Sequence, residues 1–375
     1  MLKQIGVEGI VTALHDVPNG EIWTEEAILD LKNYIEAAGL RWSVVESLPV
    51  TEPIKYGGAD RTRLIENYKI SLANLGKCGV KTVCYNFMPV IDWLRTDLAK
   101  PWKDGASSLY FSQVNFAYFD IYILERAGAE KDYSPEVVEK ARELAKTATQ
   151  ADKDQLIDSI IVKTQGFVNG NITEKDKQPV ALFKKLMENY KDIDREQLRA
   201  NLKYFLEQIM PVCDQYGVNM CVHPDDPPFQ MLGLPRIVTD AADIEWFLNA
   251  VNNPHNGLTF CAGSLSAGPH NNVPELAKKF AKRTHFVHLR STEAMPNGDF
   301  IEADHLHGRG KLIEVVRVFE KENPELPFRV DHGRLMLDDV NKKYNPGYSF
   351  YGRMFALAQM DGVLAVVDDE LNAAK

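Results

Sequence analysis

The feature that most constrains this chain is a unit that recurs along it: an apolar stripe at helical spacing, a glycine, then a short apolar strand. After Thr24, Ile28, Leu31, Ile35 and Ala38 fall at three- and four-residue steps before Gly39. Ile65, Tyr68, Leu72 and Leu75 precede Gly79, and Leu198, Leu202, Phe205, Ile209, Val212 and Tyr216 precede Gly217. Each stripe predicts one buried helix face, and each glycine sits where a helix ends in a left-handed turn. The runs "WSVVES", "KTVCYNF" and "NMCVH" follow the three glycines, and "GIVTALH", "LTFCAGS", "HFVHLRS" and "FRVDHG" bring the strands to seven. Strands apolar on both faces that alternate with helices predict a parallel sheet covered by helices. A closed (β/α) barrel of the TIM type is the natural form for so many units. A doubly wound open sheet is the alternative, but no G-x-G-x-x-G follows the first strand.

Residues from about 88 to 195 depart from the repeat. "SSLYFSQVNFAYFDIYILERAG" and the charged "SPEVVEKARELAKTATQADKDQ" read as a mainly helical insertion within one domain spanning 1–375. A typical barrel takes roughly 250 residues, which leaves room for an insertion of about 100. The 134–155 stretch reads as a solvated helix face.

Composition narrows the partners. With 53 acidic and 43 basic side chains, the formal net charge of −10 disfavours nucleic acid and anionic membrane surfaces. Five cysteines, Cys78, Cys84, Cys213, Cys221 and Cys261, form no C-x-x-C pair, which argues against a disulfide framework or zinc knuckle. The start, "MLKQIGVEGIVTALHD", lacks the apolar core of a signal peptide, and no run is long enough to span a bilayer. A cytoplasmic location, a small-molecule substrate and a homo-oligomer are the expectations.

Polar residues cluster where the strands stop: His15, Glu46, Asn86, His223, Cys261, His288 with Arg290, and Asp331 with His332. In a parallel barrel all strand C-termini emerge on one face, so these side chains converge on one mouth. Taken singly, a strand-end His is more often a hydrogen-bonded structural residue, a buried Cys a small apolar filler, and an Asp after a strand a helix cap. Four at the same end of successive strands are harder to treat as independent. His223, Cys261, His288 and Asp331 have the chemistry of a divalent-metal set: two imidazoles, a thiolate and a carboxylate. Side-chain alternation puts Arg290 on the face of His288, suited to holding a substrate carboxylate. His15, Asn19 and Trp23, in "HDVPNGEIW", line the pocket or else form a Pro-Asn-Gly turn before a helix. Glu46 and Asn86 contact substrate hydroxyls or orient ligands. His305 and His307 fall in a long loop, "STEAMPNGDFIEADHLHGRGK", read as a lid or as solvated loop histidines; His255, His270 and His285 read as structural.

Together "GIVTALHDVPNGEIWT", "VCYNFMPV", "MCVHPDDPP", "TFCAGSLSAG", "FVHLRST", "VDHGRLMLDD" and "NPGYSFYGR" resemble the mannonate dehydratase family, from near residue 6 to about residue 362. The resemblance implies a xylose-isomerase-like (β/α)8 barrel, Mn2+ or Fe2+, and conversion of D-mannonate to 2-keto-3-deoxy-D-gluconate in hexuronate (glucuronate) breakdown. It places the metal ligands on His223, Cys261, His288 and Asp331, a catalytic His on His332 and a catalytic Tyr on Tyr348, with Tyr344 and Tyr351 as neighbours that leave the last assignment open. His332, with an ordinary pKa of about 6.5, suits a general acid, whereas Tyr348 as a base needs its pKa of about 10 lowered. One departure stands out. The family carries a further strand before the first helix, and "MLKQIG" resembles the end of that helix. The seven strands are then the second to eighth, the first being missing, and an open seam is expected between 9–14 and 327–331, with a cost to stability and activity.

Rival readings share the barrel. A sugar isomerase or epimerase would favour a carboxylate-rich site, a DNA-repair endonuclease would need a basic groove, and an inactive sugar-acid-binding paralogue would bind metal without turnover.

Overall fold

The computed structural model describes residues 2–166 and 172–373. Eleven strands occur among them: β1 (Gly9–Thr12), β2 (Arg41–Glu46), β3 (Thr82–Tyr85), β4 (Asp97–Pro101), β5 (Ser107–Phe111), β6 (Asn219–Val222), β7 (Asn256–Cys261), β8 (Thr284–Leu289), β9 (Thr292–Ala294), β10 (Phe300–Glu302) and β11 (Phe328–Val330). Seven form one sheet in the order β1-β2-β3-β6-β7-β8-β11, with every neighbouring pair parallel. This is a (β/α) barrel whose seven strands are those expected, and among the described residues β1 and β11 are not paired. The expected seam is therefore present.

The helices lie where their stripes place them. Arg195–Tyr216 starts at Asp194, whose side chain accepts from the Gln197 amide, and ends at Gly217 in the left-handed region at φ 63°. Leu198, Leu202, Phe205 and Ile209 on that helix are fully buried against the sheet. Side chains alternate along each strand, so one parity fills the barrel interior. Val44, Cys84, Cys221 and Phe286 form that inner layer, with half-buried Val11 against it. Buried Thr259 joins them, donating its hydroxyl to the Cys84 sulfur and the Cys221 carbonyl. Two residues further along the same strands the parity delivers Glu46, Asn86, His223, Cys261 and His288 to the C-terminal mouth.

The stretch 88–195 carries an antiparallel hairpin, β4–β5, besides its helices. β5 pairs with β10, and β10 with β9, so the insertion is joined to the segment after β8 in a second, four-stranded sheet. Phe111 and Phe300 stack at that junction, 5.2 Å between ring centres. The 291–311 segment, read as a lid or as a loop with solvated histidines, is in part a pair of strands. Within it His305 is buried, while His307 stays exposed beside Asp304. Among the described residues no helix is long and apolar enough to cross a membrane.

Candidate active site

A cavity of about 880 Å3 opens at the C-terminal ends of the strands. His15, Trp23, Glu46, Asn86, His223, His288, Arg290, Asp331, His332 and Tyr348 all line it. Cys261 is fully buried at its floor. Of the three candidate tyrosines only Tyr348 lines this cavity.

His223, Cys261 and His288 come together, their donor atoms all within 4.8 Å of one another. His223 Nδ1 is fixed 2.7 Å from the Pro224 carbonyl, and His288 Nε2 lies 3.2 Å from Glu46 Oε2. The Cys261 sulfur accepts from the Ser264 amide and hydroxyl and from Arg290 Nη2 at 3.3 Å. Burial pushes the thiol up, but Arg290 and the two imidazoles outweigh it and hold Cys261 well below its ordinary range. His288 moves the other way: burial lowers it, yet Glu46 and Asp331 carry it up to about 9. A thiolate and two imidazoles converging from three rigid strands is a donor set that fits a divalent transition metal.

Asp331 stands beside this trio rather than within it. Its Oδ2 is 3.6 Å from His288 Nδ1 and 3.1 Å from Arg290 Nε, and its Oδ1 accepts from Arg329 Nη2 at 2.6 Å. Two guanidinium groups hold the carboxylate through charge-assisted contacts, so three of the four expected donors converge and the fourth touches only one of them.

Arg290, expected to hold a substrate carboxylate, is engaged by protein acceptors. Its Nη1 donates to Glu302 Oε1 at 2.7 Å, and its Nη2 to Asp226 Oδ2 at 2.7 Å and Ser264 Oγ at 2.8 Å as well as to Cys261. The fork is filled by protein acceptors and has no pair of donors left for a substrate carboxylate. Arg95, fully buried, bridges Asp226 and Glu302 from the other side.

Glu302 also receives His332, whose Nδ1 lies 2.8 Å from its Oε1. Burial would raise the Glu302 carboxyl, but His332, Arg290 and Arg95 together bring it down to about 2. An ionised acceptor at Nδ1 fixes the proton there and leaves Nε2 as the working nitrogen of His332. Tyr348 packs edge-on to His332, and its hydroxyl accepts from Arg329 at 3.3 Å. Burial pushes its phenol up to about 12 despite Arg329. A base near neutrality needs the opposite shift, so that role finds no support in its surroundings.

The remaining expected residues line the walls. His15 is exposed at the rim. Trp23 is buried, its backbone bonded to Ser71 and Asn74. Asn86 is half-buried. Glu46 lies 3.1 Å from Arg329 Nη1 as well as against His288. His255 and His285 bond Asn219 and the Pro254 carbonyl, away from the cavity.

Several contributors escaped the sequence reading. Arg329 shares parity with Asp331, a signal that was present in "FRVDHG". Asp226 sits in the turn after His223. Glu302 and Arg95 gave no signal, because only the second sheet brings them to the barrel. Asp92 is buried in the cavity wall, and its carboxylate takes no hydrogen bond from a described residue.

These features define a class: a parallel (β/α)-barrel enzyme with a His-Cys-His group beside a His-Glu pair at its strand C-termini. The comparisons make the class specific. The family model described as D-mannonate dehydratase (UxuA) matches residues 1–373. The mannonate dehydratase of Chromohalobacter salexigens is 43% identical over 371 residues, covering 96% of this chain and 93% of the relative. That of Marinomonas sp. is 44% identical over 372 residues, with the same coverage. The crystal structure of mannonate dehydratase from Streptococcus suis serotype 2 superposes with a TM-score of 0.78 at 35% identity, covering 99% of this chain and 90% of that one. The chain belongs to the D-mannonate dehydratase family.

Proposed function

We propose that this enzyme removes water from D-mannonate to give 2-keto-3-deoxy-D-gluconate, a step in hexuronate breakdown, with Mn2+ or Fe2+ held by His223, Cys261 and His288. The observation that carries the metal reading is the convergence of those three donors at the cavity floor. Asp331, one contact away, completes the set if its carboxylate turns from Arg329. The cation would supply Lewis-acid stabilisation of the negative charge that develops when the C2 proton leaves.

The chain's own residues account for the rest of the reading. Glu302 holds the Nδ1 proton of His332, so its free Nε2 can take the C2 proton and then pass it to the departing C3 hydroxyl, which leaves as water. Asp92 offers a carboxylate without a donor among the described residues, suited to accepting from a substrate hydroxyl. Tyr348, keeping its proton, is placed to donate rather than to act as base. The enzyme is expected to act on this small sugar acid in the cytoplasm, as a homo-oligomer.

Incubating metal-reconstituted protein with a panel of hexonates, and identifying the products, tests the reading. A 2-keto-3-deoxy acid from D-mannonate is the expected product. Ketose or epimer formation would favour the isomerase alternative, and bound metal without turnover would favour an inactive paralogue.

A further inference from the structure

Three arginines line the cavity, Arg290, Arg329 and Arg353. The first two are bound to protein carboxylates. Arg353 is not: its guanidinium has no ion pair or hydrogen bond to a described residue, and its Nε is buried without a partner. It projects from the first turn of the helix Phe350–Ala373. The amides of Phe350, Tyr351 and Gly352 there all donate to Asp339, so the helix end itself is already satisfied.

The side chain is nonetheless held in place. Its guanidinium carbon stands 5.3 Å from the centre of the Tyr348 ring, and that of Arg329 stands 5.7 Å from the same centre. Residue 333 must be small to let the stem pass, because a Cβ on Gly333 would meet Arg353 Cγ at 2.7 Å. Burial, and then the neighbouring Arg329, lower the Arg353 pKa. Two cations thus share one aromatic ring, and among the described residues only Arg329 has carboxylates in direct contact, Glu46 and Asp331 reaching Arg353 from further off. A partly desolvated cation without a counter-ion is costly, and an anion arriving from the cavity removes that cost. The planar fork of a guanidinium matches a carboxylate through two parallel hydrogen bonds.

We propose that Arg353, and not Arg290, receives the carboxylate of the sugar-acid substrate and sets the preference of the cavity for aldonic acids over neutral polyols of the same length. This rests on the reading of the cavity as the D-mannonate site.

Steady-state kinetics of metal-loaded wild type, Arg353→Gln and Arg353→Lys with D-mannonate provide the test, with D-mannitol as a neutral competitive probe. Losing a hydrogen-bonded charge pair should raise the KM of Arg353→Gln about 10- to 100-fold. Arg353→Lys should fall between it and wild type, with bound metal and the D-mannitol inhibition constant unchanged in both. A KM within about twofold of wild type in Arg353→Gln, while wild type dehydrates D-mannonate, overturns the assignment and leaves the functional reading intact. Wild type without D-mannonate turnover overturns both. Should Arg353→Gln not fold, Arg353→Lys decides: a several-fold higher KM supports the proposal, and an unchanged one rejects it.

Discussion

His332 and Cys261 lie on opposite sides of the same guanidinium, that of Arg290, yet they carry different tasks. Replacing His332 with Ala removes the proton carrier without touching the trio. Turnover should fall about 100-fold or more while metal content stays at the wild-type value; ordinary turnover in that variant would remove His332 from the mechanism. Replacing His223 or Cys261 with Ala removes a donor, and elemental analysis should then find the metal lost, whereas unchanged stoichiometry would dismiss those ligands. The trio was legible because His223, Cys261 and His288 each end an apolar strand, a place where packing does not ask for them. Arg290 was legible only in its direction. Parity gives the face a side chain takes but not which groups fill its fork, and here Asp226 and Glu302 arrive from other segments. Arg353 ends the "NPGYSFYGR" motif and Asp92 follows "VCYNFMPV", but nothing there singled them out, since what marks them is the lack of a side-chain partner among the described residues.

At the scale of elements, the barrel strands were readable because each repeats one local plan of stripe, glycine and apolar run. The second sheet was not. β4, β5, β9 and β10 have three to five residues each, and the β5–β10 pairing that joins their two local hairpins spans distant parts of the chain, so no window contains the whole sheet. That sheet brings Glu302 to His332 and holds part of the 291–311 segment in strands. The turn before the helix Phe350–Ala373 is equally tight. Gly347 has φ 84°, and a Cβ there would stand 2.7 Å from the His332 ring. Gly347→Ala should therefore cost about 1–2 kcal/mol for the left-handed backbone and also displace His332. The expected result is a lower kcat with metal content retained, checked by kinetics beside denaturant unfolding. A variant with wild-type kcat would show that the ring has room to move.

For the whole molecule, β1 and β11 are left as unpaired edges among the described residues, and buried charge is concentrated at the strand C-termini. Arg95, Arg290, Asp226, Glu302 and His332 form one network joining the barrel to the second sheet. The sign of its pH dependence follows from Glu302, held at about 2 against an ordinary 4.5. A lowered carboxyl stabilises the fold fully above its unfolded value and loses that contribution as pH falls through the folded one. Glu302→Gln should accordingly lose about 3 kcal/mol at pH 7 and show a shallower decline between pH 4.5 and 2, measured by urea unfolding across that range. Parallel declines in the two proteins would mean that the network adds nothing to acid sensitivity.

In the proposed function, one cation at the His223–Cys261–His288 floor lets this barrel dehydrate D-mannonate. Titrating metal-free protein with Mn2+ or Fe2+, while following both bound metal and keto-deoxy acid formed from D-mannonate, tests it most directly. The account predicts that activity rises in step with bound metal and saturates at one ion per chain. Full activity in the metal-free protein, or a fully loaded protein that forms no keto-deoxy acid, would contradict it.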